Sequence, residues 1–296
     1  MRRVLVTGGS GFVGAALVGN LLRRGHDVVA TATAARAASS TAQSNARLRW
    51  VRWDAMHEPV PAVDWNTLDV IVHLAVPRAP FDFVRQANAI YEVTVAATYR
   101  ILEAARTNGV RRVVAASTGD VLGANSRPAR EDDCTYEPSS FYGTTKACAE
   151  LLLRAYDNVL QTAALRLFHP YGPGGERFLV NRLVRAVSEG REVTIEGPDG
   201  ILLDPVWIDD LAEGLCLAVE SEATGILHFA GPETVTLRQL LGAAGELAGC
   251  QPVVRSVPRE PVQRHQGTYE RTERLLGYRP RVGVRDGIRQ LLGAAT

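Results

Sequence analysis

The sequence is sparing with the residues that build metal sites and cross-links. Its four cysteines, Cys134, Cys148, Cys216 and Cys250, are scattered and form no CxxC. That reads as reduced thiols and a cytoplasmic chain rather than a disulfide framework. Six histidines show no paired ligand spacing, so no metal site is expected. Neither sign of charge dominates: 33 Lys and Arg against 32 Asp and Glu leave +1. Near-neutrality gives no electrostatic reason to expect nucleic acid or an anionic membrane as partner. No apolar run approaches the ~18 residues of a membrane span. The opening Met-Arg-Arg is followed by only "VLV" before "TGGSG", so no signal peptide is expected. There is no repeat, and only "AARAASSTAQS" (Ala34–Ser44) is compositionally biased, which reads as an exposed loop.

What the chain does have is alternation. Short β-branched runs at Arg3–Val6, Asp27–Ala30, Leu48–Trp53, Asp69–Leu74, Arg112–Ser117 and Ala163–Phe168 read as strands. Between them, Ala15–Arg24, Tyr91–Thr107 and Tyr142–Asn158 carry helical periodicity. Strand–helix alternation predicts an α/β fold with a Rossmann-type doubly wound parallel sheet. The pattern breaks at "HPYGPGG" (His169–Gly175), a Gly/Pro loop. Beyond it, a helix at Phe178–Ser188 and a strand at Glu192–Glu196 open a smaller α/β substrate domain. The expected division is 1–168 and 169–296, with 204–220 returning to the first domain.

"VTGGSGFVG" (Val6–Gly14) lies between the first strand and the first helix. Written out it is Gly8-x-x-Gly11-x-x-Gly14. Gly8 permits a tight turn, Gly11 lets a ligand touch the main chain, and Gly14 lets the helix pack closely. A helix N-terminus then aims N–H groups and partial positive charge at the ligand, which suits a pyrophosphate. A dinucleotide is the expected guest.

The same spacing, preceded by Thr7, resembles the extended short-chain dehydrogenase/reductases, the nucleotide-sugar epimerase/dehydratase group. Further landmarks follow in order: "HLAV" (His73–Val76), "STGDVLG" (Ser117–Gly123), "YGTTK" (Tyr142–Lys146), "LRLFHPYGPG" (Leu165–Gly174), "VWIDDLAEGL" (Val206–Leu215) and "LLGYRP" (Leu275–Pro280). The resemblance implies cofactor contacts from Gly8, Gly11, Phe12, Val13 and Gly14, and from Thr33, Arg36, Asp54 and Ala55. It extends them to Leu74, Ala75, Val76, Thr94, Tyr142, Lys146 and Phe168. Asp54 equally fits a turn-former, and Arg36 a solvated loop charge.

Tyr142 and Lys146 stand four apart, one helical turn on one face. A free tyrosine titrates near ~10 and is a poor base. A neighbouring ammonium is expected to lower it, so that Tyr142 exchanges a proton while hydride moves to or from nicotinamide. By resemblance Lys146 also holds the nicotinamide ribose, and Thr118 hydrogen-bonds the substrate oxygen. Thr118, Tyr142 and Lys146 are the expected catalytic residues. Thr118, Tyr142 and His169 are the expected substrate contacts, with substrate entering under the second domain.

The second strand ends on Ala32, where NAD-preferring relatives carry an acid, and Arg36 follows. The expectation is NADP, with NAD the alternative. Other departures bear on the substrate. Thr118 is followed by Gly119-Asp120 where dehydratases carry Asp-Glu, which disfavours dehydration. His169 replaces a family Asn, Leu203 an arginine that often holds a sugar-nucleotide phosphate, and His228 another Asn. Both histidines equally suit satisfied polar positions. Three functions remain open: a ketoreductase or epimerase of a nucleotide-activated (deoxy)sugar, an NADPH-dependent reductase of a non-nucleotide ketone or aldehyde, and a non-catalytic NADP sensor. The helices near 91–107 and 142–158 commonly form a dimer face in such proteins, so a homodimer is expected.

Overall fold

In a computed structural model the structure is described for residues 1–33, 45–77, 82–123, 127–133, 135–258 and 264–293. Six strands come first: β1 (Arg3–Thr7), β2 (Asp27–Ala32), β3 (Leu48–Arg52), β4 (Val70–His73), β5 (Arg112–Thr118) and β6 (Gln161–Leu167). After β7 (Val193–Glu196) and β8 (Leu202–Leu203), β9 (Gly225–Phe229) joins them in one sheet of order β3-β2-β1-β4-β5-β6-β9. The β1–β2, β1–β4, β2–β3 and β4–β5 pairs are parallel. The order reverses at β1, as in a doubly wound sheet. Buried central strands such as "VIVH" of β4 are covered on both faces, which is why they carry no alternating polar residues.

The chain gathers into two units. The first holds Met1–Val121, Pro138–Arg166 and Ala212–Leu227; the second holds Leu122–Glu137, Leu167–Leu211 and His228–Thr296. The segment Leu122–Glu137, placed with the first domain by sequence, groups with the second. Glu131 is one reason, since its carboxylate accepts the N–H groups of Arg271 at 2.6 Å and Thr272 at 2.7 Å.

In the first unit, helices α1 (Phe12–Arg23), α2 (Phe83–Tyr91), α3 (Ala97–Thr107) and α4 (Phe141–Ala155) flank the sheet. Leu5, Val29, Ile71 and Val113 of the strands meet Ala97, Ile101, Leu102 and Leu153 in its core. The single helix expected over Tyr91–Thr107 is instead α2 and α3 joined by a π-turn at Glu92–Ala96. There the Thr98 hydroxyl takes the Thr94 carbonyl at 2.6 Å, a side-chain bond that competes with the regular amide ladder.

Helix α5 (Leu179–Ser188) belongs to the second unit, and α6 (Ile208–Glu220) carries the chain back into the first. The carbonyl end of α6 is tied down by arginines. Arg2 donates to Val219 O and Glu220 O at 2.8 and 2.9 Å, and buried Arg112 to Ala218 O and Ala223 O at 3.0 and 2.7 Å. Cations at a helix C-terminus answer both its orphan carbonyls and its dipole.

The second unit also has β10 (Val235–Thr236), β11 (Val254–Val257) and β12 (Arg264–His265), which pair as β10-β8-β12 and β11-β7. Its helix α7 (Leu237–Ala248) starts in a Thr236/Gln239 capping box and stops at left-handed Gly249. Helices α8 (Glu270–Leu276) and α9 (Val284–Gly293) follow. Among the described residues, no helix is long and apolar enough to cross a membrane.

Candidate active site

The three glycines after β1 do different work. Gly8 turns at φ 69°, and a Cβ there would lie 2.9 Å from Ala75 N and Cα. The loops after β1 and β4 therefore touch. At Gly14 a Cβ would lie 2.2 Å from Gly8 O, so this glycine lets α1 close on its own entry loop rather than on the sheet. At Gly11 the added atom would meet only Gly8 O, at 3.2 Å. Apart from that one tight contact, the added atom at Gly11 would meet nothing within 4 Å. Helix α1, opening with Phe12, Val13 and Gly14, has no side-chain cap at Gly11 and no acid in its first turn. A backbone cradle with uncontested positive helix end fits the pyrophosphate of a dinucleotide.

The other cofactor candidates divide. Thr33 closes the stretch after β2, while Arg36 lies outside the described residues. Asp54 forms a turn: Oδ1 accepts the Met56 N–H at 3.0 Å, and its own N–H goes to Glu58. Ala55 is buried, with its carbonyl accepting Arg100 at 2.6 Å. Leu74 and Ala75 are buried and Val76 is exposed, just past β4. Thr94 sits in the π-turn, its hydroxyl buried. All of these belong to the first unit. Phe168 is core of the second, its ring 5.0 Å from that of His228 and pressed on Gly267.

Thr118 ends β5, and its Oγ1 accepts the Asp120 N–H at 3.2 Å. Ser140 caps α4 by accepting the Gly143 N–H at 2.9 Å, which fixes the first turn carrying Tyr142. Lys146 follows one turn later, 3% exposed, donating to Ala116 O at 2.6 Å with its Nζ 5.8 Å from the Tyr142 ring centre. Burial pushes Lys146 down to about 8, with Glu150 acting in the opposite sense. Tyr142 differs from expectation. Burial, then the charge of Asp120, raises it above the ordinary phenol range. The Lys146 ammonium donates to a backbone carbonyl, and the lowering expected from it does not set the direction.

Beneath this pair lies an ion pair that the sequence reading missed. Arg166 of β6 is 0% exposed and donates to Glu150 of α4 through Nε at 2.9 Å and Nη2 at 2.8 Å. The Ser117 hydroxyl donates to the same carboxylate. The available signals were an arginine inside apolar "AALRLF" and an acid one turn past Lys146. At the end of β4, His73 shares a 2.7 Å bond with Thr7. Burial, then the charges of Lys146 and Arg100, pushes His73 down to about 3, so it is neutral.

In the second unit, His169 adopts φ 46°, a left-handed conformation that Asn and His tolerate better than most residues. Its ring meets that of His265 edge-on at 6.0 Å, and burial, then His265, pushes it down to about 3. His228 is a satisfied core residue, bonded to Thr268 O at 2.9 Å. Leu203 is 0% exposed within β8. Among the described residues, no three His, Cys, Asp or Glu side chains gather to hold a metal.

The pattern of the NAD dependent epimerase/dehydratase family matches residues 4–228. Over 302 residues the chain is 30% identical to the UDP-glucose 4-epimerase of Mycolicibacterium smegmatis, covering 97% of this chain and 96% of that one. It is 28% identical to the dTDP-glucose 4,6-dehydratase of Streptomyces griseus, covering 96% and 91%. The solved structure of MoeE5 in complex with UDP-glucuronic acid and NAD superposes with a TM-score of 0.83 at 28% identity, covering 99% of both chains. The chain belongs to the NAD dependent epimerase/dehydratase family and is an enzyme of the extended short-chain dehydrogenase/reductase group.

Proposed function

We propose that this enzyme moves hydride between a nicotinamide dinucleotide and a carbinol or carbonyl carbon of a nucleotide-activated sugar, as an epimerase or ketoreductase, with Tyr142 exchanging the proton. The carrying observation lies at the end of β5 and the start of α4: Thr118 and Tyr142 partly exposed, and Lys146 buried with its Nζ 5.8 Å from the Tyr142 ring centre. Thr118 Oγ1 accepts a backbone N–H, which leaves its own O–H to be donated to a substrate oxygen. Tyr142, held as a phenol, gives its proton to a carbonyl oxygen as that carbon is reduced. In the reverse sense the Tyr142 phenolate takes the proton of a carbinol as its carbon gives up hydride. Gly11 and the start of α1 would hold the pyrophosphate, and bound nicotinamide supplies the hydride acceptor or donor. The family and the NAD of the MoeE5 complex support NAD. The neutral end of β2, Ala32 then Thr33, lacks the carboxylate that ordinarily excludes a 2′-phosphate, and so admits NADP as well.

The test uses purified protein with NAD or NADP and UDP-glucose, UDP-glucuronic acid or dTDP-glucose, with products resolved by chromatography and NMR. The Tyr142→Phe variant is expected to keep coenzyme affinity and lose turnover by about 10²-fold or more. Surviving turnover would remove Tyr142 from the proton step, and a protein that binds neither coenzyme would end the reading. A second reading, reduction of a ketone without a nucleotide handle, is favoured by Leu203. That residue is apolar and enclosed where the resemblance places a phosphate-holding arginine. NADPH consumption with simple ketones but none with sugar nucleotides would select it. A homodimer through α3 and α4 is supported by half-exposed Tyr99 and Leu151 on those helices, and light scattering tests it.

A further inference from the structure

Asp120 stands two residues past Thr118, in the turn that leaves β5. Its carboxylate reaches the start of α4, where Oδ1 accepts the Ser139 hydroxyl at 2.7 Å and Oδ2 accepts the Ser140 hydroxyl. Ser140 is the N-cap of that helix. A serine hydroxyl has one proton. Once Asp120 takes it, only lone pairs remain toward the helix, which is what the cap requires. Gly143 closes on the same group: a Cβ there would lie 2.5 Å from Asp120 Oδ2. The Asp120 N–H meanwhile bonds Thr118 Oγ1. One residue thus touches both the turn that carries Thr118 and the turn that carries Tyr142.

We infer that Asp120 is a positioning residue for the reaction proposed above, its carboxylate setting Thr118 against Tyr142 and its charge acting on the phenol. The inference rests on that reading of Thr118 and Tyr142. It differs from a role as an acid or base toward substrate, since the carboxylate's two contacts described above are to serines at the start of α4. Asp120 from the β5 turn, after burial, helps raise Tyr142, and Lys146 from its own helix sets its Nζ 5.8 Å from the ring centre. On the neighbouring elements, Glu92 pairs with Arg100 and Glu103 with Arg106, while His73 of β4 is neutral. Asp120 is therefore the anion that disfavours the phenolate.

Two readouts need no substrate. Tetranitromethane attacks the phenolate, so nitration of Tyr142 relative to half-exposed Tyr99, followed by peptide mass spectrometry, reports its ionisation. Amide hydrogen exchange over residues 141–145 reports the first turn of α4. Asp120→Asn keeps a hydrogen-bonding partner for both serines and removes the charge. It is expected to raise the Tyr142:Tyr99 nitration ratio about three- to tenfold at pH 8, with exchange within about twofold of wild type. Asp120→Ala is expected to raise the ratio and to accelerate exchange about tenfold or more. Should that variant not fold, Ser140→Ala is expected to accelerate exchange with the nitration ratio unchanged. An unchanged ratio in Asp120→Asn, or unchanged exchange once the clamp is cut, overturns the inference. So does a loss of sugar-nucleotide turnover beyond about 10²-fold in a well-folded Asp120→Asn, which would make the carboxylate catalytic. Failure of the sugar assay alone, with both substrate-free readouts as expected, would count against the substrate and not against Asp120.

Discussion

Replacing Lys146 with methionine should make this protein more stable at neutral pH. Lys146 is buried and its ammonium is pushed down to about 8 from an ordinary 10.5. A depression of that size means that the charged form costs the fold about 3 kcal/mol. Methionine fills similar space without charge. The change forfeits the bond to Ala116 O, which takes back about 1–2 kcal/mol. The net is a gain of about 1–2 kcal/mol, or a few degrees in Tm. The sign can be followed with pH. Below about 8 both folded and unfolded chains hold the proton, and the full cost falls on wild type. Between about 8 and 10.5 only the unfolded chain holds it, so wild-type stability climbs with pH relative to the variant. Near pH 10 the gap should close or reverse. Paired melts of both proteins from pH 6 to 10, by circular dichroism or calorimetry, measure this. A Lys146→Met protein less stable than wild type at pH 7, or a gap that ignores pH, would refute the reasoning.

The deeper ion pair should behave in the opposite way. Glu150→Gln strands the enclosed Arg166 guanidinium and is expected to lose about 3–5 kcal/mol in denaturant melts, while a Glu150→Leu/Arg166→Met double variant recovers much of that loss. The glycine loop predicts a dissociation between fold and binding. Gly11→Ala should melt like wild type yet bind nicotinamide coenzyme at least about tenfold more weakly by fluorescence titration, whereas Gly14→Ala should lower Tm because its methyl collides with Gly8 O. At φ 46°, His169→Asn should keep stability within about 0.5 kcal/mol, and His169→Val should cost about 1–3 kcal/mol.

Much of this architecture was legible because its signals are local. The β1 loop declares itself through glycines whose spacing follows from one turn of backbone, and the alternation of strand and helix requires parallel pairing. What was not legible depends on where side chains end up in three dimensions. The YxxxK spacing puts Lys146 beside Tyr142, but only the fold shows its ammonium bonded to Ala116 O. Burial, then the charge of Asp120, reverses the expected direction for the phenol. Asp54 looks the same in sequence whether it faces adenine or closes its own turn on Met56. The π-turn at Glu92–Ala96 has no period of its own and reads as uninterrupted helix until the Thr98 hydroxyl is seen on the Thr94 carbonyl.

The costly groups of the site share one helix face. Tyr142, Lys146 and Glu150 follow one another at turn spacing along α4, and the last two are enclosed. A helix optimised for stability would carry apolar residues there. This one sets an acid next to a lysine that burial has pushed down to about 8, and it needs Arg166 from β6 to balance the account. Those charges are desolvated when the chain folds, before any substrate arrives, so little reorganisation is left for the proton transfer proposed at Tyr142. The clamp from Asp120 acts at the other end of the same face, where Ser140 fixes the first turn. Tyr142 stands in sequence between the Ser140 cap and Glu150 of the buried ion pair. The proton exchange proposed for Tyr142 calls for a fixed phenol, and the stability given up at Lys146 is the physical measure of that arrangement.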